Sequence, residues 1–378
     1  MYNVKLYNKI SKVGLNDLDA AKYTCSEDFT DYDAVLVRSA KLHEVEFPKD
    51  LKCIARAGAG VNNIPIDRCS QEGIVVFNTP GANANAVKEL VICALLLASR
   101  KVVQGANWVK GLKGTPDIGP AAEKGKSTYA GPEIAGKKLG IIGLGAIGVK
   151  VANAAVGLDM EVWGYDPFLS VDGALKLDRS VKHVTDLNEI FANCDYITIH
   201  VPLNADTKNT ISAEAIEKMK DGVRVINLAR GELVDTKAMA KALESGKVAA
   251  YVSDFASDEI LEQENAITLP HLGASTPESE DNCAMMAARQ VRDYLDNGNI
   301  VNSVNLPVLS MAWAAKNRVC VLTKGADAAA IAAAVPAVAS ASKTRGEYGY
   351  FLLDTDAQVD TAAIAALPGV LRVRVLHQ

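Results

Sequence analysis

Three polar side chains of types that suit alcohol oxidation stand in separate motifs of the chain. They are Arg230 in NLARGELVD, Glu259 in DFASDE and His271 in PHLGAST. Histidine exchanges protons near neutral pH, and a carboxylate hydrogen-bonded to it favours the imidazolium. An arginine can hold a carboxylate through two parallel hydrogen bonds. The set therefore offers a proton acceptor, an acid to orient it and an anchor for a carboxylate, although each residue alone is also common as a surface or structural group.

A glycine motif earlier in the chain points to a partner for this chemistry. A strand-like run leads into Gly143, Gly145 and Gly148, spaced GxGxxG, and a helical pattern and a second strand follow and end at Asp166. These glycines allow a tight turn, close approach of a pyrophosphate and close packing of helix on strand. Asp166 stands where an acid accepts hydrogen bonds from ribose hydroxyls, and the next four residues are uncharged. We therefore predict an NAD site, the alternative being a strand, turn and helix without a ligand.

Alternating strands and helices would position these residues. Strand-like runs near 138, 160, 195, 223, 248 and 267, with helices between most of them, predict a doubly wound parallel sheet. Arg230, Glu259 and His271 lie at or just beyond strand ends, where open parallel sheets bind ligands. Strand-like runs at 34–37, 52–55 and 74–77 predict a smaller α/β domain before them.

Several other segments complete the predicted organisation. Residues 84–104 have the pattern of a long helix, whereas 108–135 is rich in glycine and proline and is predicted to be an irregular arm, functional or clasping a second subunit. Residues 317–378 read as βαββαβ. The predicted domains are listed here in chain order: a substrate domain of 1–95 plus 275–305, an NAD-binding domain of 96–274, a linker of 306–316 and a small domain of 317–378.

Composition narrows the class of protein. The 378 residues are 49% hydrophobic with a net charge of −5, which indicates a globular protein without long-range attraction for nucleic acid or an anionic membrane. Seven scattered cysteines without a CxxC pair favour reduced thiols in the cytoplasm over disulfides or a metal site. The longest purely apolar run, 91–98, is too short to span a bilayer.

The motifs together resemble the NAD-dependent D-2-hydroxyacid dehydrogenase family. The resemblance rests on LVRSA (36–40), ARAGAGVNNI (55–64), the glycine motif, HVPLNADT (200–207), NLARGELVD (227–235), DFASDE (254–259) and PHLGAST (270–276). It is strongest to members that act on D-3-phosphoglycerate and carry a C-terminal ACT domain. It implies a Rossmann-like doubly wound sheet domain, a flavodoxin-like α/β substrate domain and an ACT-like βαββαβ domain.

The resemblance also implies roles for residues at matching positions. Arg230 matches the arginine that binds the substrate carboxylate and C2 oxygen, Glu259 the glutamate of the catalytic dyad, and His271 the general acid/base. Cofactor contacts are implied for Gly143, Gly145, Ala146, Ile147, Gly148, Asp166, Val201, Pro202, Ala229, Asp254, Gly273 and Ala274. Substrate contacts are implied for Arg38, Arg56, Gly58, Ala59, Gly60 and Asn83. No metal ligand is implied.

The charge of the substrate distinguishes phosphorylated from unphosphorylated hydroxy acids. A phosphorylated hydroxy acid carries about three negative charges, which an acidic protein must meet with placed cations, and Arg38 and Arg56 are the candidates. We therefore expect NAD-dependent oxidation of D-3-phosphoglycerate to 3-phosphohydroxypyruvate, the first step of L-serine biosynthesis, in a homodimer or homotetramer. A reductase of glyoxylate or hydroxypyruvate and an NAD-sensing protein similar to a corepressor are the alternatives.

Two positions depart from the family pattern. Ile260 stands where proline commonly follows the dyad glutamate, so a differently shaped loop is expected there. The turn after the first strand of the small domain reads Thr323 to Asp327, TKGAD, where serine-binding ACT domains carry asparagine and a proline-glycine turn. The resemblance therefore does not extend to a serine site.

Overall fold

The computed structural model describes residues 1–378, which divide into two units. The first unit comprises Met1–Asn83 and Pro277–Gln378, and the second comprises Ala84–Thr276. The division predicted from sequence at 95/96 lies inside a helix of the second unit, and the predicted third domain at 317–378 belongs to the first unit.

Five parallel strands form the sheet of the first unit. Its N-terminal elements are β1 (Tyr2–Tyr7), α1 (Lys12–Leu15), β2 (Tyr23–Ser26), β3 (Ala34–Val37), β4 (Cys53–Arg56), α2 (Ile66–Gln71) and β5 (Val75–Phe77). The strand order is β2-β1-β3-β4-β5, which is the flavodoxin-like order. The predicted flavodoxin-like domain is confirmed.

Seven parallel strands form the sheet of the second unit. The elements are α3 (Ala84–Ser99), α4 (Val102–Gly111), α5 (Ile118–Gly125), β6 (Lys138–Ile142), α6 (Ala146–Val156), β7 (Glu161–Tyr165), α7 (Val171–Lys176), β8 (Lys182–Val184), α8 (Leu187–Asn193), β9 (Tyr196–Ile199), α9 (Ala213–Lys218), β10 (Val223–Asn227), α10 (Thr236–Glu244), β11 (Val248–Ser253), α11 (Asp258–Leu261) and β12 (Ala266–Thr268), with 3-10 turns at Lys126–Tyr129 and Gly231–Leu233. The order β12-β11-β10-β9-β6-β7-β8 is doubly wound, as predicted.

Both faces of this sheet are covered, which explains why its strands read as apolar runs rather than alternating ones. Helices α3 and α6 pack on one face with Leu139, Ile141 and Val162. Helices α8, α9 and α10 pack on the other face with Ile197 and Ile199. The apolar sequence of β9 is thus fully buried from both sides.

The segment predicted as an irregular arm is mostly helical, so that prediction was wrong. Helix α3 ends at Ser99, and α4, α5 and a 3-10 turn follow. The rings of Trp108 in α4 and Tyr129 in the 3-10 turn pack together, with their centroids 5.3 Å apart. The glycines and prolines of this segment have low helix propensity, which is why the sequence predicted irregular structure. The aromatic contact between α4 and the 3-10 turn adds a stabilising interaction that propensity does not include.

A long helix and a four-stranded antiparallel sheet complete the first unit. Their elements are α12 (Pro277–Asn297), β13 (Asn317–Lys324), α13 (Ala328–Ala333), β14 (Ala339–Arg345), β15 (Tyr348–Thr355), α14 (Thr361–Ala365) and β16 (Val370–His377). The strand order is β14-β15-β13-β16, and the predicted βαββαβ sequence of elements is confirmed. No helix of the whole chain combines the length and apolarity that a membrane span requires.

The C-terminal sheet has two apolar faces with different partners. Val319 and Val321 of β13 face helices α13 and α14. Cys320 and Leu322, which alternate with them, share a core with α12 and with the parallel sheet of the first unit. The C-terminal sheet therefore packs into the core of the first unit. This packing explains why the side chains on both faces of β13 and β15 are apolar.

A buried ion pair joins β13 and β15 of this sheet, and its guanidinium also reaches the last residue of α12. The guanidinium of Arg318 donates to both carboxylate oxygens of Asp354, at 2.7 and 2.9 Å, and both side chains are fully buried. The same guanidinium also donates to the carbonyl oxygens of Asn297, Met311 and Ala312. The segment predicted as a linker, 306–316, is thus held to the sheet by charge-assisted hydrogen bonds.

Candidate active site

The glycine motif forms the turn between β6 and α6. Gly143 has φ +96°, and a Cβ there would lie 2.8 Å from the carbonyl oxygen of His200. A Cβ on Gly148 would lie 1.9 Å from the carbonyl oxygen of Gly143. Gly145 faces open space and is exposed, and Ala146 begins the helix. The turn therefore leaves a backbone cradle at a helix N-terminus, which suits a pyrophosphate.

Asp166 follows β7, next to this turn. Its carboxylate accepts hydrogen bonds from the backbone N–H groups of Leu144 and Phe168, each at 2.8 Å. These bonds fix the carboxylate beside the cradle and leave lone pairs on both oxygens for ribose hydroxyls. An imidazole, His183, lies beside the backbone of Asp166, with its Nε2 3.5 Å from the carbonyl oxygen.

The segment after β9 borders the cradle on the other side. His200 donates its backbone N–H to the carbonyl oxygen of Ile142, at 2.7 Å. Val201 is half-buried, with its Cγ1 3.0 Å from the point that a Cβ of Gly143 would occupy. Pro202 is exposed, and its carbonyl oxygen accepts a hydrogen bond from Thr207. Val201 therefore lies beside the turn at Gly143, and Pro202 is the next residue along the chain.

Asp254 is the buried acid at the end of β11. Its Oδ2 accepts the backbone N–H of Gly273 at 2.8 Å, and its buried Oδ1 has no hydrogen-bond partner. Burial raises the pKa of this carboxyl, and the Gly273 N–H and the charges of His271 and Arg230 act in the opposite direction. These contacts bring Asp254, Gly273 and the adjoining Ala274 to one place, with an acceptor still to be satisfied.

Arg230 follows β10 in an extended conformation. Asn227 holds this stretch, because its side chain accepts from the N–H of Ala229 at 3.2 Å and donates to the carbonyl oxygen of Arg230 at 2.8 Å. The half-buried guanidinium of Arg230 donates to the carbonyl oxygen of Ala229 at 2.6 Å. Most of its donors thus remain available for an anionic ligand.

His271 lies in the loop after β12, in an unusual backbone conformation. Its φ of +48° is in the left-handed region, which few residues other than glycine adopt. Its N–H donates to the carbonyl oxygen of Asp254 at 3.1 Å, and its exposed ring packs on Phe255, with centroids 4.9 Å apart. The histidine ring is therefore directed by backbone geometry and one aromatic contact.

The predicted pairing of Glu259 with His271 is not formed in this structure. Glu259 lies in the first turn of α11, half-buried, and no hydrogen bond or ion pair joins its carboxylate to His271. The backbone N–H of His271 instead donates to the backbone carbonyl oxygen of Asp254, whose carboxylate accepts the N–H of Gly273. Arg230, Asp254 and His271 thus form one group at the ends of β10, β11 and β12.

These features fit a bound NAD. The unpartnered Oδ1 of Asp254 needs a donor such as a carboxamide N–H, the cradle at Gly145 has room for a pyrophosphate, and Asp166 is placed for a ribose. No group of three or more histidine, cysteine, aspartate or glutamate side chains could hold a metal ion.

The predicted substrate residues of the first unit lie in the loops after β3 and β4 and at the end of the segment Met1–Asn83. Arg38 follows β3 and forms an ion pair with Glu280 of α12, at 2.6 Å. Arg56 ends β4, and its Nε donates to the carbonyl oxygen of Arg38 at 3.0 Å. The loop of Gly58, Ala59 and Gly60 is held by residues after β5: Thr79 donates to Gly58, and Asn78 donates to Ala59. Asn83, half-buried, is the last residue of this stretch.

The sequence reasoning missed a polar cavity beside Arg56. It has a volume of about 510 Å³ and is lined by Ser39, Lys41, His43, Arg56, Asn62 and Asn63. The signal was present in RSAKLH, because Lys41 and His43 alternate with Leu42, which is fully buried, so both face away from the core.

Comparisons with known proteins find similarity to one enzyme family. Residues 92–275 match the family described as D-isomer specific 2-hydroxyacid dehydrogenase, NAD binding domain. The chain is 39% identical to the D-3-phosphoglycerate dehydrogenase of Archaeoglobus fulgidus over 286 residues, which cover 73% of this chain and 52% of that relative. This chain thus spans about half the length of that relative.

Solved structures show the same architecture. The NAD⁺-bound 3-phosphoglycerate dehydrogenase of Entamoeba histolytica matches with a TM-score of 0.63 and 28% identity, over 82% of this chain and 99% of that chain. A glyoxylate reductase from Paecilomyes thermophila matches with a TM-score of 0.66 and 26% identity, over 80% of this chain and 98% of that chain.

Proposed function

We propose that this chain, whose residues 92–275 match the D-isomer specific 2-hydroxyacid dehydrogenase family, oxidises D-3-phosphoglycerate to 3-phosphohydroxypyruvate with NAD, the first step of L-serine biosynthesis. The observation that carries this proposal is the grouping of Arg230, Asp254 and His271 at three neighbouring strand ends of the unit that contains the glycine cradle. Open parallel sheets bind ligands at this edge.

We assign each side chain a part in the reaction. When bound, NAD supplies the acceptor for the hydride that leaves C2 of the hydroxy acid. Neutral His271 takes the proton of the C2 hydroxyl, and Arg230 holds the substrate carboxylate and polarises the C2 oxygen. Asp254 Oδ1 accepts from the cofactor amide. Glu259 stabilises the imidazolium, since catalytic hydrogen bonds that are long or absent before substrate binds commonly form in the complex.

The proposal also assigns the remaining contacts to the cofactor and the substrate. Gly143, Gly145, Ala146, Ile147 and Gly148 hold the pyrophosphate, with Asp166 on the ribose. The cofactor is further contacted by Val201, Pro202, Ala229, Gly273 and Ala274. In the first unit, Arg56, Gly58, Ala59, Gly60 and Asn83 contact the substrate. Arg38 has the charge for this task, but Glu280 already compensates it.

A substrate panel tests the proposal. With NAD, the purified protein is expected to reduce the cofactor with D-3-phosphoglycerate at a kcat/KM well above that for D-glycerate and D-lactate, because only the phosphorylated acid meets the added cations of the first unit. Absorbance at 340 nm follows the reaction. Equal or better turnover of the unphosphorylated acids, or faster reduction of glyoxylate than of 3-phosphohydroxypyruvate, would favour the reductase alternative.

A cofactor-sensing role similar to that of a corepressor is the alternative from another class. The intact set of Arg230, Glu259 and His271 argues against it, because sensing needs no proton acceptor. A protein that binds NAD with full affinity and reduces it with none of the acids would support sensing.

We also propose that two or more copies associate through α4 and α5. Neither helix has a buried residue, and Val102, Val109 and Ile118 are 54%, 45% and 45% exposed. Short helices are marginal unless an apolar face is packed, so a second copy is the cover that this segment lacks. A cytoplasmic location fits the seven free cysteines.

Sedimentation checks the association. The 40.1 kDa chain is expected to sediment as a dimer or tetramer, and Val102→Glu with Val109→Glu is expected to shift it toward the monomer because each buries a charge in the interface. The matched control is Val171→Glu, an exposed valine on α7. A monomeric unmodified protein, or a control that dissociates equally, contradicts the proposal.

A further inference from the structure

The cavity beside Arg56 is lined by basic side chains and by no acidic ones. Its six lining residues include Lys41, His43 and Arg56 and no carboxylate. It lies at the carboxyl ends of β3 and β4, since Ser39 follows one strand closely and Arg56 ends the other. Although the chain has an overall charge of −5, two positive charges, Lys41 and Arg56, and the imidazole of His43 surround one space of about 510 Å³. This composition favours a small anion of high charge.

The loop that carries Lys41 and His43 is fixed before any ligand binds. Asn63 holds it from one side, donating its side-chain amide to the carbonyl oxygen of Ala40 and accepting the N–H of Leu42 on its backbone, both at 2.8 Å. Asn8 holds it from the other side, accepting the N–H groups of Ser39 and Ala40 at 2.9 and 2.7 Å. Leu42, fully buried, anchors the centre. Such a loop loses little entropy when it binds.

Arg56 is also set in position. Its Nε is bonded to the carbonyl oxygen of Arg38, and its guanidinium lies against Gly58, where a Cβ would come within 2.5 Å of Nη1. Gly58 therefore has to be glycine for the guanidinium to take this place. Arg38, by contrast, does not line the cavity and pairs with Glu280.

We propose that this cavity is the subsite for the phosphate group of the substrate, with Lys41 and His43 as its specificity-determining residues alongside Arg56. The proposal rests on the function proposed above. A phosphate monoester carries about −1.5 to −2 charges at pH 7 and three acceptor oxygens. Arg56 meets it with a planar fork, Lys41 with a point charge and His43 with a ring N–H. Asn63 is a positioning residue that holds the loop.

The test compares two acids in four proteins: the unmodified protein, Lys41→Ala, His43→Ala and the double variant. The quantity measured is the ratio of kcat/KM for D-3-phosphoglycerate to that for D-glycerate. Each single variant is expected to lower this ratio about 10- to 100-fold, the range of one hydrogen bond to a charged group. Most of the change should appear as a higher KM for the phosphorylated acid. Lys41→Arg, which keeps the charge, is expected to restore much of it.

Controls separate the subsite from the function on which it rests. Lys49→Ala removes an exposed lysine of the same unit that does not line the cavity, and should leave the ratio unchanged. An unmodified protein without preference for the phosphorylated acid overturns the proposed substrate. Two outcomes overturn the subsite but not the proposed substrate. One is a ratio that stays high in the double variant, and the other is a ratio that falls more in Arg38→Ala than in Lys41→Ala.

Binding of inorganic phosphate gives a readout that needs no turnover. Phosphate is expected to shift the ring resonances of His43 in the unmodified protein, and to do so only at much higher concentration in Lys41→Ala, which keeps the histidine. An identical titration in both proteins contradicts the subsite whatever the substrate is.

Discussion

Replacing His271 with alanine is expected to lower kcat for the hydroxy acid about 10²- to 10⁴-fold, the usual contribution of a positioned general base. The ring is the group assigned to take the hydroxyl proton, and its backbone is fixed by a φ of +48° and by the bond to Asp254. NAD reduction at saturating substrate, followed at 340 nm, measures the loss. The dissociation constant of NAD should change far less than kcat, because the loss is chemical.

The control for this variant is His377→Ala, which removes an exposed histidine at the far end of the chain. It is expected to retain full kcat. If His271→Ala kept more than about a tenth of the original kcat, His271 would not be the general base, given the range that such groups contribute.

Replacing Asp354 with asparagine is expected to lower the free energy of unfolding by about 3–5 kcal/mol, because it leaves the buried guanidinium of Arg318 without its counter-charge. Both side chains have no exposed surface, so water cannot take the place of the carboxylate. Urea unfolding, followed by circular dichroism and by tryptophan fluorescence, measures the change. Trp313, whose ring lies 4.5 Å from the Arg318 guanidinium carbon, reports on this region.

Asp356→Asn provides the matched comparison. It removes the same formal charge two residues away, from an exposed side chain whose oxygen accepts the N–H of Lys316. Asparagine keeps an acceptor oxygen, so we expect a change within about 0.5 kcal/mol, as for most surface positions. A similar small change in Asp354→Asn would mean that the buried pair is not needed to hold the C-terminal sheet.

The sequence predicted the elements whose patterns are local. The glycine spacing with Asp166 located the turn between β6 and α6, and apolar runs located the strands of both parallel sheets, because strands buried on both faces have a pattern of their own. The motifs around Arg230 and His271 placed both at strand ends. Their closeness to Asp254 followed from the general rule that strand ends meet at one edge.

Features that depend on distant contacts could not be predicted in this way. Helix α4 is joined to the 3-10 turn after α5 through the contact of Trp108 with Tyr129, which no local propensity signals. The lack of a hydrogen bond between the side chains of Glu259 and His271 could not be read from the motifs, which give only their positions along the chain. The pairing of Arg38 with Glu280 joins residues far apart in sequence. The cavity with Lys41 and His43 required knowing that Asn63 holds their loop.

During synthesis, residues 1–83 leave the ribosome well before residues 277–378, which complete the same unit. Until α12 and the C-terminal sheet emerge, the apolar face of β1, β3 and β4 that they cover has no partner within the nascent chain. The second unit is continuous in sequence and can finish folding during this interval. We therefore expect the second unit to fold first, and the waiting strands to be the part of the nascent chain that most needs protection from aggregation.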